Sequence, residues 1–170
     1  MMISPDTPIP TPFLCTDLKV LPEWIDGNGH MNVAFYLRAF DIGFDAAYDA
    51  LGLGFDMIDR QNASTMAAEM HITYQGELLE GDPLRIETQL IDLDGKRFHW
   101  FQTMHHAEKG YLAGTCEWMI LFIDMTKRRV AAMPDDLAAL MARVKQAHGV
   151  LPLPPEVGRS ISLKNKRRPA

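Results

Sequence analysis

Cysteine is nearly absent from this chain. Cys15 and Cys116 stand singly, with no C-x-x-C pair, so there is neither a zinc-ligand pattern nor a disulfide framework, and a reducing, cytoplasmic setting is expected. Positive charge is also short. Acids outnumber bases to a formal net charge of -5, which removes the global field that draws nucleic acid, and no nucleic-acid partner is expected. Charges interrupt every apolar segment before the roughly 20 residues that a membrane-spanning helix needs, so no membrane association is expected either. The glycine-rich stretches lack a following Lys-Ser or Lys-Thr, which excludes a Walker phosphate loop. His99, His105 and His106 do not build a metal centre, because neighbours on a strand point to opposite faces and His105 and His106 cannot converge on one ion. No metal is expected.

What is present suits one buried core. At 170 residues and 47% hydrophobic content, the chain is long enough for one domain and too short for two. Residues 1–12 carry four prolines and neither a basic n-region nor an apolar run, so they read as a flexible arm rather than a secretory signal. Residues 13–150 form the domain. Residues 151–170, with Lys164, Lys166, Arg167 and Arg168 and no apolar periodicity, read as a basic, disordered tail.

Within the domain, Thr16 to Leu21 is strand-like, and Pro22 ends it. Val33, Leu37, Phe40, Phe44, Ala47 and Leu51 recur at spacings of three and four, which predicts a helix from Asn32, as N-cap, to Leu51, with Gly52 and Gly54 as the stop. A loop is expected around Asp56 to Asn62. The pattern then changes to period two, predicting strands over 64–75, 84–93, 97–106 and 111–124, with Met66, Ala68, Met70, Ile72 and Tyr74 sharing one face of the first of them. Asp94-Gly95 predicts a type I′ hairpin. Pro134 to His148 has the composition of a closing helix. A strand, a long helix and four antiparallel strands imply an α+β domain with the helix laid across a curled sheet. Its exposed edge strand would be relieved by pairing across a two-fold axis, so a homodimer or a dimer of dimers is expected.

The segment Trp24-Ile25-Asp26-Gly27-Asn28-Gly29-His30-Met31-Asn32 carries the chemistry. It brings an acid, an imidazole and an amide into a glycine-rich turn that opens the main helix. A helix N-terminus presents unpaired N–H groups and roughly half a positive charge, which suits an oxyanion growing on a thioester carbonyl. Asp26, six residues before the cap Asn32, could attack that carbonyl or activate a water. The competing reading is structural: Asp and Asn at a helix start are commonly caps, and Gly-Asn-Gly is commonly a turn.

The stretch Asp26-Gly27-Asn28-Gly29-His30-Met31-Asn32, followed by Ala34-Phe35-Tyr36, resembles the D-x-x-G-H-[MV]-N signature of the 4-hydroxybenzoyl-CoA thioesterase branch of the hot-dog superfamily, over about Thr16 to Asp124. The resemblance implies a sheet of about five strands wrapped around one helix, Asp26 as nucleophile or general base, and the Val33 backbone N–H as the group polarising the carbonyl. His30 and Asn32 then support the turn. It implies an acyl-CoA substrate and no separate cofactor, coenzyme A being part of the substrate. The wording from Pro22 to Asn32 is similar to thioesterases of carnitine breakdown, which act on betainyl-CoA. A trimethylammonium acyl group favours aromatic faces, making Trp24, Trp100 and Trp118 candidates for a cation–π cage, against the alternative that they are core residues. Gly29, and Glu69 with His71 on the second strand, are the remaining candidate neighbours of the substrate. Asp41, Asp45 and Asp49 share one helix face, for which solvent exposure is the ordinary reason. Two other readings stand beside hydrolysis. A hot-dog enoyl-CoA hydratase or dehydratase would need a histidine where Met31 stands, and a non-catalytic acyl-CoA binding protein could reuse the same fold.

Overall fold

The three-four stripe becomes helix and the period-two segments become strands in the computed structural model, which describes residues 3–4 and 7–163. Lys164, Lys166, Arg167 and Arg168 lie outside the described residues. The main strands, β1 (Phe13–Lys19), β2 (Ala63–Tyr74), β3 (Pro83–Leu93), β4 (Arg97–His106) and β5 (Leu112–Asp124), form one antiparallel sheet in the order β1-β3-β4-β5-β2, with the short β6 (Arg129–Val130) beside β5. The sheet curls around α1 (Val33–Leu51), as the resemblance implied. β1 starts three residues earlier than expected, because buried Phe13 joins the core.

Both ends of α1 follow from local chemistry. The Asn32 side chain accepts the Ala34 N–H at 3.0 Å, and Gly52 takes a left-handed φ of 67° as C-cap. The face bearing Ala39, Phe40, Gly43, Phe44, Ala47 and Leu51 is buried, while Asp41, Asp45 and Asp49 are exposed. Close approach to the sheet depends on Gly43, where an added Cβ would lie 2.7 Å from Ile86 Cγ2 and 3.1 Å from Gln102 Nε2. Gln102 is a buried and satisfied polar bridge. Its Nε2 donates to Phe40 O and Thr88 Oγ1, each at 3.0 Å, and its Oε1 accepts Trp118 Nε1 at 2.8 Å.

Three expectations about the elements between α1 and β4 are corrected. The loop around Asp56 to Asn62 is a helix, α2 (Asp56–Gln61), supported by buried Met57, an Asp56–Arg60 ion pair and a left-handed Asn62 cap. The face assigned to β2 is broken by a bulge between Ala67 and Glu69: Thr65, opposite Phe122, and Met70, opposite Trp118, face α1, whereas Met66 faces away. The Asp94 hairpin exists, but its residues lack positive φ. The turn closes instead through the Asp94 carboxylate, which accepts the Lys96 and Arg97 N–H groups at 2.8 and 2.9 Å.

The closing helix α3 (Asp135–His148) packs its Leu137, Met141, Val144 and His148 into the same core, against β3. The segment read as a flexible arm is held at several points. Ile3 N donates to Ala50 O, Arg143 donates to Ser4 O and Thr7 O, and Pro10 O accepts from His148. Beyond α3 the described part of the segment read as a disordered tail, residues 151–163, is held instead: it crosses the outer face of the sheet, and Gly158 N donates to both Glu117 carboxylate oxygens at 3.0 and 2.9 Å. A cleft of about 310 Å³ lies between Leu151–Pro155 and strands β3 and β4. No helix among the described residues is long and apolar enough to cross a membrane.

Candidate active site

Pro22 opens a single 3-10 turn (Pro22–Trp24) that turns Trp24 inward, where its ring stacks on Phe35 at 5.6 Å. Ile25 and Met31 then pair across an antiparallel bridge. The loop between them is tight: Asp26 N donates to His30 O at 3.0 Å and Gly29 N to Asp26 O at 2.9 Å, with Gly29 at a φ of 82° that disfavours any side chain. Its base is tied down on two sides. Met31 N donates to Leu78 O at 2.8 Å and Asn32 N to Trp24 O at 2.9 Å, and Leu78 and Trp24 are both buried.

This frame fixes the half-buried Asp26 carboxylate. One oxygen accepts the Asn28 N–H at 2.8 Å, and the other lies 3.4 Å from Asn32 Nδ2. The Asn32 amide therefore joins the carboxylate to the start of α1. The next N–H, that of Val33, has no acceptor among the described residues, and the first turn of the helix holds no acidic residue to neutralise its positive end. Val33 itself is 56% exposed. A carboxylate and a free helical amide one residue past its amide tether can act on a single carbonyl group from two directions. His30 contributes to the turn, its Nδ1 lying 3.4 Å from Met31 O.

Other expected residues go elsewhere. Trp100 and Trp118 are core side chains packed on Phe44 at 6.0 and 5.3 Å, so neither forms an open cage; the apolar face of β4 and β5 draws them against α1. Trp24 is buried beside the loop, with one ring face taken by Phe35. Glu69 and His71 face away from α1. His71 stands opposite Glu117, which meets His99 Nε2 at 2.6 Å, so these belong to the outer surface of the sheet.

Three tyrosines, none of them expected at the substrate, gather at the helix mouth instead. The Tyr74 hydroxyl lies 3.4 Å from Val33 O, and its ring meets Tyr36 at 5.1 Å, edge to face. Tyr36 donates to Gly76 O at 2.8 Å and Tyr111 to Glu77 O at 2.6 Å. Burial, followed by the charge of neighbouring groups, pushes the Tyr36 hydroxyl up to about 12, so it stays protonated and can donate. Nothing in the sequence brings the three together, since Tyr36 lies on α1, Tyr74 on β2 and Tyr111 just before β5.

A family profile described as the thioesterase-like superfamily matches residues 20–141. The betainyl-CoA thioesterase of Pseudomonas aeruginosa is 34% identical over 147 residues, covering 86% of this chain and 92% of that protein. The L-carnitine dehydrogenase/betainyl-CoA thioesterase of Rhizobium meliloti is 31% identical over 153 residues, covering 90% of this chain but 31% of that longer protein. A Staphylococcus aureus protein solved in complex with CoA superposes with a TM-score of 0.82 at 30% identity, covering 89% of this chain and 95% of its own. The curled sheet around α1 is the hot-dog fold, and with a profile match spanning most of it the chain belongs to the thioesterase-like superfamily.

Proposed function

We propose that this chain is an acyl-CoA thioesterase that hydrolyses betainyl-CoA, releasing betaine and free coenzyme A. The observation that carries it is the Asp26 carboxylate, held by Asn28 and Asn32 beside the unpaired Val33 N–H. The thioester oxygen accepts from Val33, and the charge that grows on it is met by the positive end of α1. Asp26 either takes a proton from the water that adds to the carbonyl carbon, or adds to that carbon itself to give an anhydride that water then opens. The C–S bond breaks in both routes, and the thiolate of coenzyme A leaves with little acid assistance. No metal or separate cofactor enters. The substrate class is supported by the names of the two relatives and by the cluster of aromatic residues at the helix mouth.

The working unit is a homodimer. Among the described residues β2 bonds only to β5, and its exposed Met66 and Met70 leave an edge suited to a second copy. The two unpaired cysteines suit a reducing cytoplasm.

Replacing Asp26 with Asn is expected to lower thiol release by about 10²- to 10⁴-fold with the fold intact, followed with a thiol reagent. An unchanged rate removes Asp26 from the reaction. A single turnover in ¹⁸O-water separates the two routes: label in the Asp26 carboxylate marks direct attack, and label in the product alone marks general-base catalysis.

A further inference from the structure

We propose that Tyr74, backed by Tyr36, Tyr111 and Glu77, forms the subsite that recognises the quaternary ammonium of the acyl group. The inference rests on the reading above, in which the thioester carbonyl docks on Val33.

In a trimethylglycyl thioester one methylene separates the cationic nitrogen from the carbonyl carbon, a distance of about 2.5 Å. The cation must therefore sit beside the first turn of α1, within a side chain's reach of Val33. Core burial removes Trp100 and Trp118 from that position, and Trp24 is 5% exposed against Phe35. Tyr74 meets the requirement. Its hydroxyl touches Val33 O at 3.4 Å, and it is 51% exposed, leaving ring surface open beside the free amide.

A quaternary ammonium has no N–H, so hydrogen bonds cannot select it. Selection needs an aromatic face and a diffuse negative field. Both are present. Of the four tyrosines in the chain, Tyr36, Tyr74 and Tyr111 converge here. Their support is close-packed: an added Cβ on Gly76 would lie 2.9 Å from the Tyr111 ring, and one on Gly114 would lie 3.4 Å from the Tyr36 ring. Both rings are further anchored by their hydroxyl bonds to the carbonyls of Gly76 and Glu77, so Tyr74 rests on a rigid base. Glu77 supplies the charge. It has no ion-pair partner among the described residues, and its field, after burial, helps to hold the Tyr36 and Tyr111 hydroxyls protonated. Its neighbour Leu78 accepts the hydrogen bond that anchors Met31, which ties the cluster to the Asp26 loop.

The test compares betainyl-CoA with 3,3-dimethylbutanoyl-CoA, in which carbon replaces the cationic nitrogen and the shape is kept. The wild-type chain is expected to favour the cation in kcat/KM. Tyr74→Leu is expected to lower that preference by about 5- to 30-fold, while Tyr74→Phe, which keeps the ring, holds it within about 3-fold. Glu77→Gln is expected to reduce the preference at low salt and to leave the remainder less salt-sensitive. A Tyr74→Leu protein with wild-type melting and an undiminished preference overturns the subsite. If that variant does not fold, an unchanged preference in Glu77→Gln at low salt overturns it equally. Equal efficiency on both thioesters in the wild type sinks the cationic substrate class, whereas no turnover of either sinks the hydrolase reading beneath it.

Discussion

Asn32 uses its side-chain amide in two directions: Oδ1 caps α1 through Ala34, and Nδ2 reaches the Asp26 carboxylate. The two jobs are separable. Asn32→Ala is expected to cost about 1 kcal/mol of stability, the loss of a good cap. Asn32→Ser keeps a capping oxygen but loses the Nδ2 group that reaches Asp26, its shorter hydroxyl being engaged at the cap, so near-normal melting with kcat reduced by up to about tenfold is expected. Steady-state kinetics beside thermal melts decide it, and a Ser variant with full activity removes Asn32 from the alignment of Asp26. The meeting of Asp26 and Asn32 at the start of α1 was legible in the sequence because they are neighbours in one turn, where spacing along the chain is nearly spacing in space. Tyr36, Tyr74 and Tyr111 were not, because only the curl of the sheet brings β2 and the start of β5 over the helix. Trp100 and Trp118 were misplaced for the same reason. Both sit on core-facing strand positions, which residue type alone does not distinguish from a pocket lining.

Among the elements, α1 was read almost to its last residue, since its caps and its stripe are properties of the segment itself. How closely it lies on the sheet is another matter, and Gly43 sets that distance. Gly43→Ala should favour the isolated helix by about 1 kcal/mol. The new methyl nevertheless meets Ile86 at 2.7 Å, so a net destabilisation of about 1–3 kcal/mol is expected in urea titrations. A more stable variant would show that the contact with Ile86 yields freely. The errors in the strands have a common cause. The bulge at Ala67 to Glu69 inserts one residue and reverses the facing of everything before it, leaving no trace in composition. The Asp94 turn likewise uses a side-chain acceptor where a backbone conformation was expected.

On the scale of the whole molecule, His148 joins three segments distant in sequence. Its Nδ1 accepts the Leu90 N–H at 2.8 Å, and its Nε2 bonds Pro10 O at 2.9 Å, an arrangement open only to the neutral ring. Burial lowers its pKa below the ordinary 6.5, a shift partly opposed by the Pro10 bond. The unfolded chain therefore binds this proton more readily than the folded one. The stability involved is fully present above pH 6.5 and is lost as pH falls through that value toward the depressed folded pKa. Urea midpoints at about pH 7.5 and about pH 5.5 are expected to differ in that sense, and His148→Gln should shrink the difference; equal midpoints for the parent chain contradict it. The packing of one helix against one sheet was foreseen from element order. The binding of the N-terminal segment was not, because backbone carbonyls carry no sequence signature.

That attachment makes the two ends of the domain answer to each other. Pro10 closes the ring around His148, and Arg143 holds Ser4 and Thr7, so trimming the leading residues would loosen the final helix rather than merely shorten a tether. A truncated form is expected to melt earlier and to exchange its α3 amides faster, although the reacting groups on the Asp26 loop would remain untouched.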